Sequence, residues 1–419
     1  MHYKALCLIL DGLGDKPHAL LNHKTPLEFA RTPQLDALLK RGQGAMVSPL
    51  YTGIPVGTHT GTAILFGLPP HQVGDLNRGP IEASGVGVQL ATGDVALRCN
   101  FATVKKQGKH FAIIDRRAGR IDSEVAQLTQ VLQDIPLKNN IIASIHPATQ
   151  HRAIVHLRGK GLSADISDTD TGTSQMKKGI LPAIAQHKKA KKTANAINQL
   201  TKIVYQRLHN HPINKKRIKQ GLLPANAILS RGAGQAFDIN SILNHLGLKV
   251  AVISGERTVS GLARLFNYTC IEHPRFTALT NTDLSKKVAS AQTALQTHDM
   301  VYLHIKATDI CSHDCDPVGK KDFIEKIDRH LKPLLSLKNT VCAVVSDHST
   351  NSHTGRHCGS AVPAIITAPN SRQDGCQFYG ESRCMQGGLG HMNGTGFLMN
   401  LLDEMGCLRQ FTRDMGIFF

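Results

Sequence analysis

The chain has 419 residues, 41% hydrophobic and 19% charged, a composition that suits a globular protein of two or three domains with a sizeable core. Lys and Arg number 49 against 31 Asp and Glu, a formal charge of +18, so an anionic partner or substrate is favoured. No apolar run reaches the roughly 18 residues of a membrane helix, and the ten cysteines include no Cys-x-x-Cys pair, which argues against a membrane span and a zinc–cysteine site and for a cytoplasmic protein with reduced thiols.

Residues 4–10 form an apolar run ended by Asp11. The run is too short for a signal peptide and carries no small-residue cleavage site, so it reads as a buried first strand. Asp11-Gly12-Leu13-Gly14-Asp15 then sets a carboxylate at a strand's carboxyl end, where open α/β sheets bind ligands. Taken alone, Asp11 is equally well a turn-forming aspartate. Residues 32–41 read as a helix, with Thr32 as N-cap and Pro33 at the first helical position. Further on, Gly57-Thr58-His59 precedes an apolar helical stretch at 63–66. Such a helix start offers free N–H groups and a dipole to an anion. A hydroxyl beside a divalent cation there becomes a usable nucleophile. Thr60 and Thr62 would serve as plain N-caps as readily as Thr58, so the choice of Thr58 rests on the ligands found later in the chain.

Residues 95–104, 110–114, 141–145 and 153–157 are short apolar runs broken by Gly, Pro and charged turns, which predicts a mostly antiparallel inserted domain over 86–177. Residues 194–208 read as one helix, and 225–229, 250–253, 300–305 and 341–345 as buried parallel strands. The expected architecture is therefore α/β. A mainly parallel central sheet flanked by helices comes from residues 1–85 and 178–419, and a smaller α+β cap domain is inserted between those parts. Lys177, Lys178, Lys188, Lys189, Lys191, Lys192, Lys215, Lys216 and Arg217 read as a solvated helix face. No recognition motif accompanies them, so nucleic acid is not expected as the main partner.

Two later strand ends repeat the pattern of Asp11. Asp309 and His313, four apart after the 300–305 strand, share a face if that segment is helical, and make a half-site for zinc or manganese. Asp347 and His348 end the 341–345 strand, a costly pair to bury unless it is bound to something, and His357 follows. His353 and His391 are also near, and some of the 22 histidines must be bystanders. Two metal ions need about seven or eight ligands, and these strand ends can supply them.

At this point the chain resembles the archaeal-type, 2,3-bisphosphoglycerate-independent phosphoglycerate mutases of the alkaline phosphatase superfamily. The likeness runs nearly end to end, through Asp11-Gly12-Leu13-Gly14-Asp15, Arg78-Gly79-Pro80-Ile81-Glu82-Ala83, Arg98-Cys99-Asn100-Phe101-Ala102-Thr103, Asp115-Arg116-Arg117-Ala118-Gly119-Arg120, His151-Arg152, Arg231-Gly232-Ala233-Gly234 and Asp347-His348-Ser349-Thr350. The resemblance implies an alkaline-phosphatase-like core and two divalent metal ions (Mn, Zn or Mg). One would be held by Asp11, Thr58, Asp347 and His348, the other by Asp309, His313 and His357. It also implies Thr58 as the nucleophile of a phosphorylated-enzyme intermediate. Asp115, Arg116, Arg117 and Arg120, with Arg152 and Arg231, would then clamp a small anionic phosphorylated substrate. Three arginines within five residues could otherwise be a solvated turn. A homo-oligomer is left open.

The chain departs from the family at informative places. Gly57-Thr58-His59 stands where Gly-Ser-Asp is usual, Asp309-Ile310-Cys311-Ser312-His313-Asp314 where Asp-Glu-x-Gly-His-Asp is usual, and Asp168-Thr169-Asp170-Thr171-Gly172 where Asp-Thr-Asp-Pro-His is usual. The ligands persist while their neighbours change. Interconversion of 2- and 3-phosphoglycerate is the leading expectation. A phosphohydrolase or phosphotransferase acting on another small phosphorylated or phosphonate metabolite comes second, and a non-catalytic basic binding protein third.

Overall fold

The structure, a computed structural model, describes residues 2–108, 110–172, 176, 178–235, 239–408 and 416. Lys177 of the basic run, which also ends the expected inserted domain, lies outside them. In chain order the strands are β1 (Lys4–Leu10), β2 (Gln43–Ser48), β3 (Val95–Gln107), β4 (His110–Asp115), β5 (Ile135–Leu137), β6 (Ile141–Pro147), β7 (Arg152–Arg158), β8 (Ala227–Gln235), β9 (Val250–Ile253), β10 (Thr269–Ile271), β11 (Met300–Ile305), β12 (Thr340–Val345), β13 (Ser349–Asn351), β14 (Arg356–Cys358), β15 (Val362–Thr367) and β16 (Gly390–Asn393). They fall into two compact units, Met1–Val73 with Ile239–Phe419, and Gly74–Asp238.

The first unit is an eight-stranded mixed sheet in the order β10-β9-β11-β1-β12-β15-β2-β16, flanked by helices. From β10 to β12 every pairing is parallel; β15 runs antiparallel to both its neighbours. β1, β11 and β12 are buried almost throughout, as continuous apolar runs covered on both faces should be. Their register sets Leu10 beside Ile305 and Ile9 beside Val345, so all three strands end at one level. The helix expected at 32–41 spans Pro33–Leu39, and Thr32 flanks it without a side-chain capping bond.

The second unit is an antiparallel sheet in the order β4-β3-β7-β6-β5, with β8 also pairing β3. This corrects one expectation, because 225–229 was read as a parallel strand of the main sheet. The unit is also wider than 86–177. Helix Lys191–His209 buries Ala194, Ile197, Leu200, Val204 and Leu208 in the same core as Val95, Leu97 and Cys99 of β3, which draws the segment beyond 178 into this unit.

Candidate active site

The ends of β1, β11 and β12 bring the candidate residues together because the strands are neighbours in the sheet. Asp11 leaves β1, Lys306 leaves β11, and Asp347 with His348 leaves the loop after β12. Helix Thr58–Leu65 comes down on them with Thr58 at its first position and no side-chain cap. Gly61 allows that approach, since a Cβ there would lie 1.9 Å from the Asp347 carbonyl oxygen. Gly12 is in the left-handed region at φ 63°, and a Cβ on it would stand 2.7 Å from the Asp309 side chain. Both glycines are small so that carboxylates from distant parts of the chain can meet.

The Thr58 hydroxyl lies 3.4 Å from Asp11 Oδ1 and 3.2 Å from His348 Nε2, and it accepts from Lys306 Nζ at 2.9 Å. Lys306 also donates to Asp11 Oδ1 at 3.0 Å and to Asp309 Oδ2 at 2.6 Å. Asp347 accepts from the Gly12 N–H at 3.2 Å and from the Thr62 hydroxyl at 3.4 Å, and one of its oxygens is 3.7 Å from His348 Nε2. His313 Nε2 stands 3.2 Å from Asp309 Oδ2, and His357 Nε2 stands 3.7 Å from Asp309 Oδ1. All seven residues expected at the metals are thus brought to one end of the sheet. Of the other threonines, Thr62 bonds Asp347, while His353 turns to the Pro17 carbonyl and His391 to Ser48.

Sequence reasoning missed three participants. His304 is fully buried in β11 and meets Asp11 Oδ2 through Nε2 at 3.0 Å and the Ser254 hydroxyl through Nδ1 at 3.2 Å. An imidazole inside the apolar run 300–305 was the available signal. Lys306 follows directly, and Thr350 was quoted only as part of a phrase.

The tautomers test whether this donor set fits a metal. His313 Nδ1 faces the Gly355 carbonyl at 2.7 Å and His357 Nδ1 faces the Val56 carbonyl at 2.9 Å, so each neutral ring carries its proton there. Their Nε2 atoms, 3.2 Å apart, then point lone pairs at each other and at Asp309. Only a cation or an extra proton relieves that arrangement. His348 is fixed likewise: Nδ1 lies 3.0 Å from Thr350 Oγ1, which donates to Asp309 Oδ1 at 2.6 Å, leaving Nε2 for the site. Among the described residues, three candidate ligand groups have atoms within 4.8 Å of one another: Asp309, His313 and His357; Asp11, His304 and Asp347; Asp11, Asp309 and His348. Carboxylate oxygens and imidazole nitrogens suit zinc or manganese.

Electrostatics point the same way. Burial works to raise the Asp11 carboxyl, but Lys306 and the hydrogen bonds of His304 and His348 hold it well below the usual carboxylate range. Asp347 is pushed up to about 6 by burial and by the Asp11 charge. Burial opposes a charged His348, yet Asp347 and Asp11 carry it up to about 9. Burial, then His348, pulls His357 down to about 4. Three buried carboxylates in one place demand positive charge, of which Lys306 supplies part through its contacts with Asp11 and Asp309.

The second unit holds a pocket of about 280 Å³ lined by Arg116, Arg117, Arg120, Arg152 and Arg231 with Asn100, Gln150 and His151. The arginines of 116–120 reach it from a tight turn in which Ala118, Gly119 and Arg120 all have positive φ. Asp115 does not line the pocket; its Oδ1 accepts from the N–H groups of Arg117 and Gly119 and so fixes the turn. Arg116 is bridged to Asp170 at 2.9 Å through Nε. His151 Nδ1 and Asn100 Oδ1 are buried without a protein partner among the described residues. His151 is held down to about 4, by burial first and then by Arg152 and Arg117. A small polyanion is the natural occupant of such a pocket.

A family model described as 2,3-bisphosphoglycerate-independent phosphoglycerate mutase matches residues 40–214. The chain is 38% identical over 410 residues to an Archaeoglobus fulgidus protein carrying that name, covering 97% of this chain and 99% of the relative. It is 37% identical over 414 residues to one from Ignicoccus hospitalis, with 97% and 99% covered. Among solved structures, a Pyrococcus horikoshii protein superposes with a TM-score of 0.84 at 29% identity, covering 98% of this chain and all of that one. The cofactor-independent phosphoglycerate mutase of Thermoplasma acidophilum superposes with a TM-score of 0.75 at 28% identity, covering 96% and 100%.

Proposed function

The chain belongs to the 2,3-bisphosphoglycerate-independent phosphoglycerate mutase family, and we propose that it interconverts 2- and 3-phosphoglycerate through a phosphothreonine at Thr58. It is an isomerase, and the non-catalytic reading falls away with that membership. The observation that carries the proposal is the Thr58 hydroxyl, held within 3.4 Å of Asp11, His348 and Lys306. Asp11, kept ionised, accepts the hydroxyl's hydrogen bond. Lys306, which its three carboxylate neighbours keep charged despite burial, faces the same oxygen and favours its alkoxide. The oxygen attacks phosphorus, the Oγ–P bond forms, and the ester P–O bond to glycerate breaks. The released glycerate oxygen takes up a proton and the glycerate reorients; its other hydroxyl attacks the same phosphorus and loses its proton, and the Oγ–P bond breaks to restore the Thr58 hydroxyl. Two divalent cations held by Asp11, Asp347 and His348 and by Asp309, His313 and His357 would lower the hydroxyl pKa and neutralise the phosphoryl oxygens. Arg117, Arg120 and Arg152 would grip the substrate's anionic groups, so Arg152→Ala should raise KM more than it lowers kcat.

A second reading passes the phosphoryl group to water. The β-branched Thr58 beside His59, in place of the Ser-Asp the family pattern carries, favours testing it. Conversion of 3-phosphoglycerate coupled through enolase, with released phosphate followed in parallel, separates the two. Steady phosphoenolpyruvate formation with little phosphate supports the mutase; phosphate release in excess overturns it.

A further inference from the structure

Charge is distributed unevenly along this chain. Residues 171–237 contain thirteen Lys and Arg and no Asp or Glu, while the rest of the chain is nearly balanced, with 36 basic against 31 acidic residues. Most of the formal charge of +18 thus comes from one segment. Lys188, Lys189 and Lys191 are exposed at the start of helix Lys191–His209, whose first turn has no acidic residue. Cations there oppose the helix dipole, so the arrangement costs stability and the fold does not require it.

We propose that this face of the second unit binds the phosphate backbone of a nucleic acid, as a function additional to the isomerase activity. Lys191, Asn195 and Lys202 stand exposed at helical spacing on the outer side of the helix, opposite its buried Ala194, Ile197 and Leu200, with exposed Lys188 in the turn that precedes it. Beside them lies a groove of about 330 Å³ lined by Lys138, Asn139, Lys192, Asn195, Gln199 and Lys202. Ammonium and amide groups without a carboxylate are donors that suit phosphate and sugar oxygens. Tyr205 is the helix's aromatic side chain, and it is packed against Phe111 and His209, so it offers no platform for a base. Recognition is therefore of the backbone, without sequence preference. A membrane is the poorer fit, because the apolar face a lipid surface would need is spent in the unit's own core.

The test uses full-length protein and a fluorescein-labelled duplex of two helical turns, read by anisotropy from about 50 to 200 mM KCl. Binding should weaken with salt, with a log–log slope of roughly −4 if four or five phosphates are neutralised. Lys191→Glu with Lys202→Glu should cut affinity at least tenfold and make the slope shallower by about 2, with isomerase activity unchanged. If the reversed pair folds poorly, Lys191→Gln with Lys202→Gln should show the same trend. The proposal is overturned by absence of duplex binding at the lowest salt, by a slope the substitutions leave untouched, or by displacement of the duplex with 3-phosphoglycerate, which would place it in the arginine pocket. Binding to phosphatidylserine vesicles but not to the duplex overturns it too, as does a fall in kcat/KM without duplex binding, which would make the face a steering field for small anions.

Discussion

Thr350 donates its hydroxyl hydrogen to Asp309 and accepts from His348 Nδ1, so one buried side chain fixes the tautomer of one candidate ligand and the orientation of another. Thr350→Val keeps the shape and removes both bonds. Metal affinity or turnover should fall roughly 10–100-fold, measured by metal titration and by the coupled assay, with the fold intact by circular dichroism. Affinity and activity both near wild type would mean the relay holds nothing. At this scale the sequence was legible where a polar residue ends an apolar run, as at Asp11 and Asp347, or where two polar residues share a helical spacing, as at Asp309 and His313. It was opaque where the partner lies in another strand. His304 meets Asp11 only because β11 lies beside β1, and no spacing encodes that.

Between elements, two close fits set the geometry. Gly61 lets helix Thr58–Leu65 rest against the carbonyl of Asp347. Gly61→Ala must push the helix away from the ligands, and a displacement near 1 Å at the nucleophile should cost about 100-fold in kcat. Lys320, buried in helix Pro317–His330, donates to Asp15 at 2.8 Å and to the Thr350 carbonyl at 3.3 Å, pinning the loops that carry the site. Lys320→Met strands a buried Asp15 and should destabilise the protein by about 3–5 kcal/mol in denaturant unfolding. A loss below 1 kcal/mol would show that Asp15 finds another partner. Strands such as 300–305 and 341–345 were readable as parallel from their unbroken apolar character. β8 was not, since Ala227–Leu229 looks equally apolar, and only its pairing with β3 shows it to be antiparallel.

For the whole molecule, a cation held by the clustered carboxylates would link its binding to stability. If cations saturate the site at about 100 times Kd, they stabilise the native state by about 2.7 kcal/mol. EDTA should then abolish activity and lower Tm by roughly 5 °C or more, reversibly on adding manganese, zinc or magnesium. Among the described residues no helix is long and apolar enough to cross a membrane, in keeping with the composition. The extent of the second unit was hidden in the sequence because helix Lys191–His209 follows a helical pattern that looks like a return to the main sheet, and only its buried face reveals which core it serves. The central claim is that Thr58 carries the phosphoryl group between the two hydroxyls of glycerate. Intact mass spectrometry of acid-quenched protein after mixing with 3-phosphoglycerate tests it most directly. The wild type and Thr58→Ser should each show a species heavier by one phosphoryl group, absent in Thr58→Ala. A phosphorylated Thr58→Ala protein, or one that still turns over at the wild-type rate, would contradict it.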